Sequence, residues 1–273
     1  MSSFDRADPG AVDDEAPRDF AGARAFYDDH FAASRLAASE AAEAEAIADF
    51  VLTRLGLAHG ARLFDQCCGV GRISLALARR GIDVVGVDQS AAYVEAATER
   101  AAREGLPCTF VCADAFDFVC DEPCDGAINW YTSFGFSDRR EANVQMLRNV
   151  LHSLKPRAGF LLEMRSLPGM FARGRLYYVE RFDEGSPDEL LVVHENLPSF
   201  GDGVMNSRRT YVAADGTRTV RELRLPMLMP HDAASMAREA GFVAVEVLAP
   251  DGRTPLSHED PRCLIVASRA SQR

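Results

Sequence analysis

The stretch LFDQCCGVGRISLALARRGIDVVGVDQS, residues 63–90, decides the fold. Its first apolar segment runs into a turn that contains Gly69 and Gly71. Residues 72–80 then have helical periodicity, and residues 83–88 form a second short apolar segment. Two nearly continuous apolar strands joined by a helix are typical of a parallel pair that is covered on both faces.

The same alternation continues along the chain. It predicts helices at 40–57, 90–104 and 232–241. A further helix is expected to begin at Ser137 and Asp138 and to end before Lys155-Pro156. The predicted strands are 61–67, 108–114, 125–131, 159–165, 242–249 and 263–269. Four short segments within 175–225 instead alternate between polar and apolar residues, with turns between them. The sequence therefore predicts an α/β fold: a seven-stranded, mostly parallel sheet with helices on both faces and an antiparallel β insertion after the fifth strand.

The domain boundaries follow from where this pattern changes. We assign one domain to residues 20–273 and place the insertion at 166–230. Residues 1–19 are acidic and rich in Ala, Asp and Pro, which predicts a flexible tail. Because ligands bind at the carboxyl ends of parallel strands, an insertion after the fifth strand is expected to cover the pocket. A covered pocket favours a small-molecule acceptor over a macromolecule.

The glycine turn and its flanking acids indicate the class of cofactor. Asp88 ends the second strand, where an acidic side chain can accept hydrogen bonds from the hydroxyls of an adenosine ribose. A dinucleotide site needs a third glycine, and Ser74 stands at that position. Asp65 would repel a pyrophosphate but suits a ligand with an ammonium and a sulfonium group. S-adenosylmethionine (SAM) is such a ligand, so the residues favour SAM over NAD.

Four segments carry a resemblance to a known family. They read Asp65-Gln66-Cys67-Cys68-Gly69-Val70-Gly71-Arg72, Val85-Gly86-Val87-Asp88-Gln89-Ser90, Cys112-Ala113-Asp114-Ala115-Phe116 and Asn129-Trp130-Tyr131-Thr132-Ser133-Phe134-Gly135-Phe136. With these motifs the sequence resembles the class I SAM-dependent methyltransferases, in particular a bacterial subgroup that acts on small molecules. The resemblance covers about residues 40–270 and implies a Rossmann-like fold. Gln66 departs from the family, which usually has an apolar residue there.

The resemblance also implies the roles of individual residues. The cofactor-binding set would be Tyr27, Asp65, Cys67, Gly69, Gly71, Arg72, Asp88, Gln89, Asp114, Ala115, Phe116, Asn129 and Trp130. The substrate-binding set, which rests partly on position near the pocket rim, is His30, Tyr131, Thr132, Phe134, Arg165, Tyr177 and Tyr178. Tyr27 is expected to be a contact of an N-terminal lid.

Methyl transfer from a sulfonium is an in-line displacement that needs alignment more than a particular catalytic residue. An amine acceptor must arrive neutral, whereas a hydroxyl usually needs a base. We name His194, Tyr131 and Glu163 as the catalytic candidates, with Glu195 and His30 as further candidates for a base.

Composition limits the remaining possibilities. The chain has 273 residues, with 30 basic and 41 acidic ones, and a net charge of −11. That charge disfavours a protein that holds nucleic acid. No apolar run is long enough to cross a membrane, and the N-terminus lacks the regions of a signal peptide. We therefore expect a cytoplasmic protein, a monomer or homodimer, with no membrane or nucleic-acid partner.

The cysteines raise the question of a metal. Cys108, Cys112, Cys120 and Cys124 form a C-x3-C series twice over, which makes a zinc site conceivable. The first two lie in an expected strand, where cysteine acts as a small apolar residue, and no histidine lies among the four. No acidic triad has the spacing of a metal-assisted methyltransferase. We predict no metal.

The sequence thus predicts an enzyme that transfers a methyl group from SAM to a nitrogen or oxygen of a small molecule. Resemblance to the bacterial subgroup extends this to natural-product (antibiotic) biosynthesis. Two alternatives stay open: a SAM-binding module without transfer activity, and an NAD-dependent oxidoreductase, against which Ser74 and Asp65 both count.

Overall fold

The computed structural model of the chain describes residues 38–131, 133–174 and 176–271. Its helices are α1 (Ala38–Leu55), α2 (Arg72–Arg79), α3 (Ala91–Glu104), α4 (Arg140–His152), α5 (Leu167–Ala172) and α6 (Pro230–Ala240). Its strands are β1 (Arg62–Gln66), β2 (Asp83–Asp88), β3 (Cys108–Cys112), β4 (Cys124–Asn129), β5 (Leu154–Arg165), β6 (Tyr177–Phe182), β7 (Leu190–Ser199), β8 (Val204–Ala213), β9 (Arg218–Pro226), β10 (Val243–Leu248) and β11 (Arg262–Ser268). The predicted tail at 1–19 lies outside the described residues.

Seven strands form the main sheet, in the order β10-β11-β5-β4-β1-β2-β3. The neighbours among β5, β4, β1, β2 and β3 all pair in parallel, while β11 runs antiparallel to both β5 and β10. The predicted seven-stranded, mostly parallel sheet is therefore confirmed. The strand order reverses between β1 and β4, so their carboxyl ends border the crevice where ligands of such sheets bind.

A second sheet of four antiparallel strands, β6-β7-β8-β9, follows the fifth strand. At its centre, β7 and β8 form a long hairpin in which ten residues of each strand are paired, from Leu190 with Ala213 to Ser199 with Val204. The predicted antiparallel insertion is confirmed, and its strands lie within a residue or two of the alternating segments in the sequence. The alternation was informative because such a sheet presents one buried and one solvated face.

Three local features differ from the prediction. Helix α4 begins at Arg140, because the Ser137 hydroxyl accepts a hydrogen bond from the Arg139 amide instead of capping the helix. Lys155-Pro156 does not halt that helix, which ends at His152, and instead lies within β5. Helix α5 is additional; it begins directly after β5 and has a proline in its first turn, where no amide donor is needed.

Side chains of the main sheet alternate between two cores, and this alternation decides which residues can meet. Phe64 belongs to the core on the α4 and α6 side, whereas Leu63 belongs to the core on the α1 and α2 side. Successive strand residues point to opposite faces, so Asp65 lies toward α2 and Gln66 toward α4. The end of β1 therefore supplies two polar residues with different surroundings.

Candidate functional site

Asp65 is a buried carboxylate at the end of β1. Its side chain accepts a hydrogen bond of 2.5 Å from the hydroxyl of Ser74, which lies in the first turn of α2. Burial raises the pKa of Asp65 to about 7, the Ser74 hydrogen bond opposes that shift, and the charge of Asp88 adds to it. Ser74 is thus more than a missing third glycine, because it holds Asp65 in place.

The loop between β1 and α2 depends on backbone that few residues adopt. Cys67, Gly69 and Gly71 all have positive φ, at 63°, 56° and 73°. A Cβ on Gly69 would meet nothing within 4 Å, so this residue faces open space. A Cβ on Gly71 would come within 2.9 Å of the Phe110 ring, which means that Gly71 allows the loop to pack closely against β3. Cys67 adopts a left-handed conformation that usually costs a non-glycine residue free energy and that is concentrated at functional sites.

Asp88, at the end of β2, braces this loop from the neighbouring strand. One carboxylate oxygen accepts the Gly69 amide at 2.9 Å and the other accepts the Ser90 amide at 3.0 Å. Burial raises the pKa of Asp88 while these backbone hydrogen bonds lower it. Each oxygen keeps a further lone pair for a ligand hydroxyl. Gln89, the next predicted cofactor residue, is exposed.

Asp114, Ala115 and Phe116, three of the predicted cofactor-binding residues, form a turn after β3. The Asp114 carboxylate accepts the Phe116 amide at 2.9 Å. Ala115 and Phe116 are buried in the core on the α4 side, and Asn149 donates a hydrogen bond to the Ala115 carbonyl. The turn is therefore held against α4, and Asp114 is the most exposed of these three residues.

Asn129, at the end of β4, is fully buried and donates a hydrogen bond of 3.1 Å to Gln66. Gln66 in turn donates to the Met146 carbonyl on α4. This chain links the ends of the two strands at the point where the strand order reverses. The sequence pointed to Asn129, but the role of Gln66 as its partner was missed. The only signal was a polar residue at a position where the family usually has an apolar one.

Tyr131 follows β4 in a left-handed backbone conformation, with φ of 61°. The guanidinium carbon of Arg72 lies 4.7 Å from the centroid of its ring and that of Arg262 lies 5.6 Å away on the same ring. Burial raises the pKa of Tyr131 above its usual range. Its neighbour Trp130 packs edge-on against Phe50 of α1, with ring centroids 6.1 Å apart.

Glu163, on β5, is buried and forms a two-pronged ion pair with Arg262 on β11. One of its oxygens also accepts the Tyr131 amide at 3.0 Å. Both oxygens are thus already in use, which makes Glu163 a positioning residue for Tyr131 and a poor base. Arg262 was missed as a site residue, since only the β5–β11 pairing brings it to Glu163.

The insertion contributes His194, which is buried on β7. Its imidazole stacks on Tyr178 with centroids 4.2 Å apart, and its Nε2 lies 2.9 Å from a Glu180 carboxylate oxygen. Burial is the main cause that lowers the pKa of His194; Glu180 opposes this, and the charges of Arg209 and Arg165 reinforce it. The structure therefore brings together three predicted residues from distant segments, Arg165, Tyr178 and His194.

Several predicted residues fall elsewhere. Tyr177 is 59% exposed on the opposite face from Tyr178, because neighbouring strand residues point to opposite sides, and it does not join this group. Glu195 shares that outer face for the same reason. Phe134 is buried in the core on the α4 side and exposes almost no surface for a substrate. Tyr27, His30 and Thr132 lie outside the described residues.

The cysteines do not assemble into a metal site. Cys108 and Cys112 lie on β3 with Cys112 exposed, while Cys120 and Cys124 are buried near the start of β4. Within the described ranges, no group of three or more His, Cys, Asp or Glu side chains is arranged to hold a metal ion. Nor does any helix in these ranges combine the length and apolar character that crossing a membrane requires.

Comparisons with known proteins bear on this site directly. A family model described as a methyltransferase domain matches residues 63–157, the segment from β1 to the start of β5. Ribosomal RNA small subunit methyltransferase C of Alcanivorax borkumensis is 33% identical over 124 residues, which are 45% of this chain and 35% of that protein. A SAM-dependent Diels-Alderase of Talaromyces variabilis is 28% identical over 160 residues, 58% of this chain and 50% of that protein. The chain thus spans half or less of these curated relatives.

A solved structure shows the same fold over most of the chain. The sugar N-methyltransferase KedS8 of Streptoalloteichus superposes with a TM-score of 0.67 and 21% identity, covering 84% of this chain and 87% of that one. Such low identity carries the fold and leaves the substrate undecided. It confirms the predicted Rossmann-like fold, while the family model matches a methyltransferase domain over residues 63–157.

Proposed function

We propose that the chain binds SAM at the loop of residues 67–71 and transfers its methyl group to a nitrogen or oxygen of a small-molecule acceptor, giving S-adenosylhomocysteine. One observation carries this proposal. Asp65 and Asp88 end two paired strands on either side of that loop, close enough for the charge of Asp88 to raise the pKa of Asp65. The buried Asp65 and the partly exposed Asp88 repel one another, which favours a ligand with positive charge between them.

The residues present suit SAM in three respects. The open space in front of Gly69 leaves room for a ligand at the loop. Asp65 provides a counter-charge for an ammonium or sulfonium group, and Asp88 retains acceptor capacity for ribose hydroxyls. The sulfonium, when bound, supplies an activated methyl group and a good leaving group. The family match and the resemblance of the motifs support the same cofactor.

On the acceptor side, the proposed work of the protein is alignment and removal of a proton. Tyr131 is held by the Glu163–Arg262 pair and by its strained backbone, and would border the acceptor. His194 is the candidate base, because its lowered pKa keeps the imidazole neutral near pH 7 and able to accept a proton. An insertion that is expected to cover the pocket favours a small acceptor. A role in natural-product biosynthesis rests only on the resemblance to the bacterial subgroup.

A second candidate is a SAM-binding protein whose reaction is not methyl transfer. The likeness to a protein named as a SAM-dependent Diels-Alderase favours keeping it. A third is methylation of ribosomal RNA, as the name of another relative suggests. The net charge of −11 counts against that acceptor.

Calorimetry followed by a labelling experiment separates these candidates. We expect SAM and S-adenosylhomocysteine to bind and NAD to give no heat. Labelled SAM offered with a small-molecule extract should then yield a labelled metabolite, while purified ribosomal RNA stays unlabelled. Binding of NAD but not SAM would contradict the proposed function. Tight SAM binding with no labelled product would favour the second candidate, and labelled RNA the third.

Asp65 predicts a pH dependence of SAM affinity. A cationic ligand binds best to the ionised carboxylate, whereas the free protein holds the proton up to a pKa of about 7. Affinity should therefore rise with pH from 5.5 to 7.5, by about tenfold or more, and binding below pH 7 should release a proton. Calorimetry in buffers of different ionisation enthalpy measures both effects.

The matched variants are Asp65→Asn and Asp83→Asn, the second at the far end of β2 from the site. Asp65→Asn should bind SAM more weakly and lose most of the pH dependence, while Asp83→Asn should retain it. If SAM affinity still rises with pH in Asp65→Asn, the titrating group is not Asp65.

A further inference from the structure

Ser74 lies in the first turn of α2 and is completely buried. A serine inside a helix often satisfies its hydroxyl at a backbone carbonyl of the preceding turn. The hydroxyl of Ser74 instead donates a hydrogen bond of 2.5 Å to the Asp65 carboxylate at the end of β1. This contact links the helix to the proposed binding site of SAM.

Close packing of α2 on the sheet makes the contact possible. A Cβ on Gly71, which directly precedes the helix, would lie 2.9 Å from the ring of Phe110, so glycine lets the helix begin this close to β3. The Cys108 thiol, also on β3, donates to the carbonyl of Ser74 at 3.8 Å. Helix and sheet together therefore fix the place of the Ser74 hydroxyl.

The hydrogen bond between Ser74 and Asp65 favours the ionised carboxylate. A carboxylate only accepts hydrogen bonds, and the serine hydroxyl has one proton to donate. A bond of this kind to a charged acceptor is about twice as strong as a bond between neutral groups. Protonation of Asp65 therefore weakens the bond at a site that water does not reach. The hydroxyl thus opposes burial, which raises the pKa of Asp65 to about 7.

The other titratable groups that face Asp65 do not stabilise its charge. Asp88, on the neighbouring strand, has a like charge and raises the pKa of Asp65. Three thiols lie close enough for the charge of Asp65 to raise their pKa, and burial raises it further, so they are neutral near pH 7. These thiols are those of Cys67, Cys68 and Cys108. Within the part of the chain that the structure describes, the supporting hydrogen bond to Asp65 thus comes from Ser74.

We propose that Ser74 is a positioning residue for the cofactor: its hydroxyl holds Asp65 in the ionised form and orientation that a cationic ligand requires, and it thereby sets the pH range in which SAM binds. The inference rests on the proposed function, since it concerns how that site takes up SAM. It also gives a role to the third position of the dinucleotide glycine pattern, where Ser74 stands. A side chain that supports a carboxylate there disfavours a pyrophosphate and favours a ligand with positive charge.

The test compares the Kd of SAM in the wild type and in Ser74→Ala by calorimetry between pH 6.5 and pH 8.5. Both proteins are measured at each pH, so that titration of the amino group of SAM cancels in the ratio of the two Kd values. Without the hydroxyl, Asp65 should stay protonated to higher pH. Ser74→Ala should therefore bind SAM at least about fivefold more weakly at pH 6.5 and within about twofold of the wild type at pH 8.5.

A double variant shows whether Ser74 acts through Asp65. In Asp65→Asn there is no carboxylate to keep ionised, so the addition of Ser74→Ala should change the Kd by less than about twofold at every pH. The matched control is Ser153→Ala. Ser153 is equally buried and its hydroxyl also makes hydrogen bonds, but it lies directly before β5, at the opposite edge of the sheet from the site. This control should follow the wild type over the whole pH range.

Thermal unfolding shows that each variant is folded. If Ser74→Ala does not fold, Ser74→Cys gives the same comparison, because the thiol is a weaker donor of similar size. A Kd ratio that is the same at pH 6.5 and pH 8.5, or a further loss when Ser74→Ala is added to Asp65→Asn, would overturn the inference and leave the proposed function in place. A wild type that binds SAM at no pH would contradict the proposed function itself.

Discussion

Replacing Asp88 by alanine is expected to weaken SAM binding more than tenfold. The substitution removes the proposed acceptor for the ribose hydroxyls and also the acceptor for the Gly69 and Ser90 amides. Hydrogen bonds to a charged group contribute about 1.5–3 kcal/mol each, and the loss of one corresponds to roughly 10- to 100-fold in affinity. Calorimetric titration with SAM and S-adenosylhomocysteine measures this loss.

Two further variants separate the ribose contact from the support of the loop. Asp88→Asn keeps one carbonyl oxygen, so it should preserve more of the loop than alanine does while still losing affinity. Asp83→Ala removes an acid from the amino end of the same strand, where it pairs with Arg62 at 2.9 Å. That control should bind SAM like the wild type. Unchanged affinity in Asp88→Ala would show that the ribose assignment is wrong.

Glu163→Gln is expected to lower the free energy of unfolding by about 2–3 kcal/mol. Removing one partner of a buried ion pair typically costs 3–5 kcal/mol, because the other charge is left without compensation. The cost should be smaller here, since the side chain of Arg262 is 33% exposed while that of Glu163 is 4% exposed. Urea unfolding measures the change. The control is Glu222→Gln, which removes the exposed ion-pair partner of Arg208 at 3.7 Å. It should change the free energy of unfolding by no more than about 0.5 kcal/mol.

Activity of the same variant tests whether Glu163 acts as a base. As a positioning residue it should reduce the rate while leaving the pH profile in place, because Tyr131 loses its anchor but no proton acceptor disappears. The double variant Glu163→Gln/Arg262→Gln should be less destabilised than the sum of the single variants. Full stability together with loss of the acidic limb of the pH profile would restore Glu163 as the base.

Much of the fold was predictable because the two kinds of sheet have different sequence patterns. The strands β1 and β2 and the second half of β5 are largely buried on both faces and are rich in apolar residues, whereas β7 alternates with a period of two. The predicted start of α4 was wrong because a side-chain hydrogen bond within the preceding turn competes with capping of the helix. The hydroxyl of Ser137 bonds to the amide two residues later, and the helix therefore starts at Arg140.

The cofactor half of the candidate site was predictable for a related reason. Asp65, Gly69, Gly71 and Asp88 lie within one β-α-β unit, whose local geometry follows from chain direction and short connections. The sequence of this unit did not predict which contacts its individual residues make. Gly71 proved to serve packing against Phe110, and Ser74 proved to hold Asp65.

The sequence by itself determined the parallel sheet, the antiparallel insertion and the loop with its two flanking carboxylates. Only the tertiary structure decided the neighbours on the acceptor side: Arg262 contacts Glu163, Arg209 is paired with His194, and Tyr177 points away. The physical reason is the distance along the chain. A β-α-β unit joins neighbours through local periodicity, whereas pairing between β5 and β11, or across four insertion strands, depends on register that no short segment contains.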